Sequence, residues 1–188
     1  MNDLKVFRLN ESAILPKLAT AGSACFDVSA CFESIQSIKA YSLPLEVKSM
    51  NFAWSDEEIP IKQFDHEIEV ITDNSYIKIS PFQRALIPTG LKFDIPEGYS
   101  LRLHPRSGAA FKQGLSLVNC EGVIDADYVE ELFVAVVNLN KNTNIDIFSG
   151  DRIAQCELVK NVECSISEID LPPVRKTTRA GGFGSTGK

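Results

Sequence analysis

Proline and glycine punctuation constrains this chain more than any other feature. Pro81, Pro88, Gly90, Pro96, Gly98 and Gly150 fall between, or at the edges of, short runs rich in β-branched and aromatic residues. Runs of that length bounded by turn formers read as strands. They cover residues 5–9, 24–30, 67–72, 76–79, 84–95, 99–103, 132–139, 144–148 and 153–159. The stretch 133–137 is nearly all apolar, which predicts a strand buried on both faces. One short helix is expected at 107–113, with Ser107 as its N-cap and Gly114 as its stop. Many strands and one helix predict an all-β fold, a distorted jelly-roll barrel or sandwich.

With 188 residues, 44% of them hydrophobic, the chain can bury one sizeable core and not two. One β domain is expected over residues 1–174. Residues 32–73, with Trp54, Pro44, Pro60 and the acidic run Asp56-Glu57-Glu58, are the least patterned part and read as an excursion from it. Beyond Pro172-Pro173, residues 175–188 hold four glycines, four basic residues and few apolar groups, the composition of a flexible arm. Five cysteines without a C-x-x-C pair argue against a disulfide scaffold or a zinc site. They predict a reducing cytoplasm, or the host cytoplasm for a viral chain. No apolar run approaches the ~20 residues of a membrane helix, and residues 1–10 carry no signal-peptide core. A net charge of −6 makes a nucleic-acid polymer an unsuitable partner. A few arginines and backbone amides can still hold a small anion.

Five stretches carry chemistry. Gly122-Val123-Ile124-Asp125-Ala126-Asp127-Tyr128, with Asn119 upstream, predicts a hairpin whose Gly122 takes a conformation closed to other residues. In an extended strand Asp125 and Asp127 share one face and Ala126 takes the other. An amide, a carboxylate and a ring there would make a pocket for a planar, hydrogen-bonding ligand. Asp27 stands among small and apolar residues in Ala21-Gly22-Ser23-Ala24-Cys25-Phe26-Asp27-Val28, and an acid there needs a cation or hydrogen-bond donors. Pro105-Arg106-Ser107-Gly108 sets a guanidinium and a hydroxyl at a helix start, a place that suits phosphate. Gly150-Asp151-Arg152-Ile153-Ala154-Gln155 opens a strand after a turn and carries an amide within reach of a ligand. Arg179-Ala180-Gly181-Gly182-Phe183-Gly184-Ser185-Thr186-Gly187 has a phosphate-cradle composition without the spacing of a Walker loop. Taken singly, each reads more simply as a solvated acid pair, a salt-bridge residue, a capped helix, an Asp151–Arg152 ion pair or a loose terminus.

Together, and in this order, the five resemble the five motifs of the trimeric deoxyuridine triphosphatases (dUTPases), and Ile87-Pro88-Thr89-Gly90-Leu91 is similar to that family as well. The resemblance implies a homotrimer with active sites between subunits, hydrolysing dUTP to dUMP and pyrophosphate with Mg²⁺. It implies that Asp125 holds and deprotonates the attacking water, with Asp127 structural. Tyr128 would lie against the deoxyribose, and Asn119 with the backbone of Val123 and Ile124 would read the uracil edge. Arg106, Ser107, Gly108 and Gln155 would contact the phosphates, and Asp27 would hold Mg²⁺ through water. In the arm, Phe183 would stack on uracil, Gly184, Ser185 and Thr186 would touch phosphates, and Arg179 would act on the developing charge.

The chain departs from the family pattern in places. Arg179 stands one residue closer to Phe183 than is usual, and Val129-Glu130 replaces the frequent Arg-Gly. Cys25 replaces a frequent glycine, and the 32–73 excursion is longer than the usual connection. Two rivals remain. One is the related dCTP deaminase, alone or bifunctional, although no Arg-Ser-Ser stretch is present. The other is a regulatory binding protein that uses the excursion to take a protein partner.

Overall fold

The computed structural model describes residues 3–32, 40–41 and 76–178. The strand expected at 67–72, Trp54 and nearly all of the excursion lie outside those residues, as does the arm from Arg179 onward. Twelve strands occupy the described chain: β1 (Lys5–Arg8), β2 (Phe26–Ser29), β3 (Ala40–Tyr41), β4 (Tyr76–Ile79), β5 (Arg84–Pro88), β6 (Leu91–Asp94), β7 (Tyr99–His104), β8 (Leu115–Leu117), β9 (Gly122–Ile124), β10 (Phe133–Asn138), β11 (Ile145–Phe148) and β12 (Arg152–Lys160). They form two four-stranded sheets, ordered β3-β5-β10-β8 and β2-β12-β7-β9, and two ladders, β1-β6 and β11-β4. All ladders are antiparallel, and among the described strands none joins neighbours in sequence. The all-β expectation holds.

The core lies between the sheets. Val28, Ile77, Ile79, Ile87, Leu101, Val134 and Val136 are all but inaccessible, and each such side chain stabilises by about 1.5–3 kcal/mol relative to exposure. Among the buried polar residues is Asn138. Its Nδ2 donates to the carbonyls of Ile79 and Thr143 at 2.9 and 2.8 Å, so its burial leaves no donor unmet.

Three local expectations change. The run 84–95 is two strands, because Gly90 takes a left-handed φ of 68° and hands the chain from one sheet to another. A β-carbon there would stand 2.8 Å from Ala13 Cβ and 3.0 Å from Cys31 Sγ. β10 is buried on one face only: Val134, Val136 and Asn138 point inward while Phe133 is 36% exposed over a cleft. An apolar run shows where a strand lies, not whether its second face is covered. The short helix spans the expected place, but Ser107 and Gly108 are already helical, and a π-helical turn follows at Ala109–Gln113. Ser107 is therefore no N-cap. Gly114 does end the helix, at φ 71°, and Asn140 Nδ2 caps the Gln113 carbonyl at 2.6 Å.

Beyond Lys160 the described chain runs without strand, and Val162, Ile166, Leu171 and Val174 are largely exposed. Among the described residues no helix is long and apolar enough to cross a membrane.

Candidate active site

The central stretch is organised by a turn that differs from the hairpin expected. β8 pairs with β10, while β9 pairs with β7, so residues 118–121 carry the chain from one sheet to the other. Cys120, not Gly122, takes the left-handed conformation, at φ 60°. Gly122 is needed for close approach: a β-carbon would lie 3.0 Å from Leu103 Cβ on the paired strand. β9 ends at Ile124, and residues 125–128 turn, with the Tyr128 amide donating to the Asp125 carbonyl at 3.2 Å. The alternation of faces survives without the strand. Asp125 and Asp127 are exposed, while Ala126 packs on the core.

This turn borders a cleft of about 530 Å³, with Asn119, Gly122, Asp125, Asp127, Tyr128 and Phe133 on its walls. Val123 and Ile124 line it too. Among the described residues, no hydrogen bond engages the side chains of Asn119 or Asp125, so amide and carboxylate are left for a ligand. A cleft of this size with a few convergent polar groups suits a nucleoside.

A second cluster sits at the far end of the same sheet. Asp27 on β2 accepts from Arg106 Nε at 2.8 Å and from Arg152 Nη1 at 2.9 Å. Arg106 Nη1 also donates to the Arg152 carbonyl at 3.2 Å. The acid thus has the partners its surroundings demanded. Gln155 Nε2 donates to the Pro105 carbonyl at 3.1 Å, which holds the Arg106 turn against β12. The expected Asp151–Arg152 pair does not form: Asp151 Oδ2 accepts the Phe148 amide at 2.8 Å, and Arg152 goes to Asp27. Arg106, Gly108, Lys112 and Arg152 line a separate hollow of about 320 Å³, and Ser107 is exposed nearby with no partner among the described residues. Asp146 and Asp151 line the same hollow, so three cations, two of them already paired with Asp27, face two carboxylates there, a net positive edge that can meet an anion.

Strand register separates the two clusters. Ile124 faces Leu101, whereas Arg106 lies beyond the other end of β7 and turns toward β2 and β12. At ~3.4 Å per residue, Asp125 and Arg106 stand roughly 20 Å apart along the sheet.

Among the described residues no group of three or more His, Cys, Asp or Glu side chains could hold a metal ion directly. Asp27 can serve a hydrated metal, because each carboxylate oxygen keeps a lone pair after its arginine bond. All five cysteines are free. Burial pushes the Cys156 thiol up, and burial with the charges of Glu157 and Asp27 does the same to Cys25. Neither is a ready nucleophile at neutral pH. Glu130 is answered by Lys92 Nζ at 3.1 Å.

Two participants escaped sequence reading. Arg152 was visible as a cation three residues before Gln155, but only the β2-β12 pairing puts it on Asp27. Glu131 gave no signal, because its partner, the Gly90 amide, is 41 residues away.

An all-β protein with a nucleoside-sized cleft bearing a free carboxylate, and an arginine-lined anion hollow beyond it, has the equipment of a nucleotide phosphohydrolase. The dUTPase family profile matches residues 71–187. Deoxyuridine 5'-triphosphate nucleotidohydrolase of Finegoldia magna is 43% identical over 122 residues, 64% of this chain and 82% of that protein. The Nautilia profundicola protein of the same name is 33% identical over 186 residues, 98% of this chain and 99% of its own. Among solved structures, the Staphylococcus bacteriophage 80alpha dUTPase with dUpNHpp superposes with a TM-score of 0.69 at 20% identity, covering both chains completely. This chain belongs to the dUTPase family.

Proposed function

We propose that this chain hydrolyses dUTP to dUMP and pyrophosphate, as a homotrimer whose active sites form between subunits. The observation that carries the assembly is the β9–β7 register, which sets Asp125 and Arg106 at opposite ends of β7, roughly 20 Å apart by strand rise and too far for both to serve one α-phosphate within a chain. A neighbouring copy brings its arginine hollow to the cleft of the first.

In that site Asp125 holds a water in line with the α-phosphorus and takes its proton. The new bond joins the water oxygen to phosphorus, the bridging bond to the β-phosphate breaks, and pyrophosphate leaves. Positioning counts for more than basicity, because a carboxylate is a weak base at neutral pH. Asn119 and the backbone of Val123 and Ile124 read uracil, and the Tyr128 ring stands where a ribose 2′-hydroxyl would go. Arg106, Ser107 and Gly108, supported by Gln155, receive the phosphates. The arm from residue 175 onward closes the site, with Phe183 on the base, Gly184, Ser185 and Thr186 on the phosphates, and Arg179 on the charge that develops. The product is the precursor for thymidylate, and its formation keeps uracil out of DNA.

Mg²⁺ supplies local positive charge to the triphosphate when bound. A dUTPase of phage phi11, similar in fold with a TM-score of 0.63, has been described with a structural Mg(II) ion. Here Asp27 would hold metal-bound water. Asp27→Asn is expected to raise the half-saturating Mg²⁺ concentration several-fold. It should also cost about 1 kcal/mol of stability, since a part-exposed pair with two arginines is weakened. An unchanged metal titration with a lowered unfolding temperature would assign Asp27 to the arginines alone.

Pyrophosphate release from dUTP, dTTP, dCTP and UTP tests the activity. dUTP should be preferred by at least about a hundredfold. Ammonia release from dCTP would point instead to the deaminase.

A further inference from the structure

We infer that Glu131 is a positioning residue for sugar selection, acting by locking Tyr128 to the Thr89–Gly90 turn. The inference rests on the reading of Tyr128 as the wall beside the deoxyribose. The Tyr128 phenol donates to the Glu131 carbonyl at 2.8 Å, and the Gly90 amide donates to Glu131 Oε1 at 2.8 Å. Next along the chain, Thr89 Oγ1 donates to the Leu132 carbonyl at 2.6 Å and the Leu132 amide to the Leu91 carbonyl at 2.8 Å. With its own amide on Asp125, Tyr128 is fixed at both ends: backbone to the turn that carries the carboxylate, ring tip to a clamped carbonyl.

The clamp is stiff. Thr89 is fully buried, and Gly90 is packed so tightly on Ala13 and Cys31 that no side chain fits. The Gly90–Glu131 bond joins an amide to a carboxylate, so it is stronger than a neutral pair. Exclusion of a hydroxyl by contact needs such stiffness, because a wall that yields by about 1 Å lets the larger sugar in. Glu130 has no such role: among the described residues its carboxylate reaches only Lys92, and at 72% exposure that is a weak surface pair.

Steady-state kinetics on dUTP and UTP test this with the full-length protein and the variants Glu131→Gln, Glu131→Ala and Tyr128→Phe. Gln keeps an oxygen for the Gly90 amide, so the dUTP-over-UTP ratio of kcat/KM should stay within about twofold of the unmodified protein. Ala should lower that ratio about tenfold, chiefly through a fall in KM for UTP. Tyr128→Phe cuts the other end of the clamp and should act alike, which keeps the test decisive if Glu131→Ala does not fold. Equal losses on both nucleotides, or Gln behaving like Ala, would overturn the inference. An unmodified protein indifferent to the 2′-hydroxyl would overturn the reading of Tyr128 itself. A selective parent with an equally selective Glu131→Ala would overturn only the role of Glu131.

Discussion

Asp125→Asn is expected to lower dUTP turnover by about a thousandfold while fold and nucleotide binding survive, the size of effect that removal of a positioned general base produces. Asp125 suits so clean a test. Its carboxylate is exposed on the cleft wall and has no hydrogen-bond partner among the described residues, so an isosteric amide disturbs nothing that holds the turn. The turn itself rests on the Asp125 carbonyl, which the substitution keeps. Single-turnover pyrophosphate release and calorimetric titration with a non-hydrolysable analogue give the two readouts. Full turnover in the variant would remove Asp125 from the chemistry, and lost binding would make it a ligand contact instead.

Mixing two inactive variants should restore activity. In the proposed trimer Arg106→Ala removes a phosphate contact from one subunit and Asp125→Asn disables the cleft of another, so each variant alone is expected to be nearly silent. In trimers reassembled from equal amounts, about a quarter of the sites join an intact cleft to an intact hollow, if each site spans two subunits. Recovery to roughly that fraction of the parent rate is expected after denaturation and joint refolding. Trimers that reassemble without recovery would place both residues in one subunit's site. The register of β9 on β7 speaks against that, because it sets them at opposite ends of the sheet.

Much of this was legible in the sequence, for reasons that differ by element. Gly114 and the run 107–113 announced the helix, because a left-handed glycine stop after a short segment is local chemistry, although the expected Ser107 cap does not form. Asp27 announced an unmet need, and two arginines meet it. The Asn119–Gly122 turn was legible as a turn and misread as a hairpin. Sequence distance suggested that its flanks pair with each other, while the ladders send them to β10 and β7. Gly122 was right for another reason, crowding against Leu103 and not φ. β8 is three residues long and its period was too short to register. Glu131 stayed invisible because a carboxylate bound to a distant amide leaves no pattern in sequence.

The pairing of β2 with β12 has a consequence for how the molecule is made. More than a hundred residues separate the two, so a nascent chain holds β2 without its ladder partner until β12 leaves the ribosome, whereas β1 and β3 find β6 and β5 much earlier. Such wiring places folding in the slow range for small domains, about milliseconds to seconds. During that interval the naked edge of β2 is a target for chaperones and for aggregation.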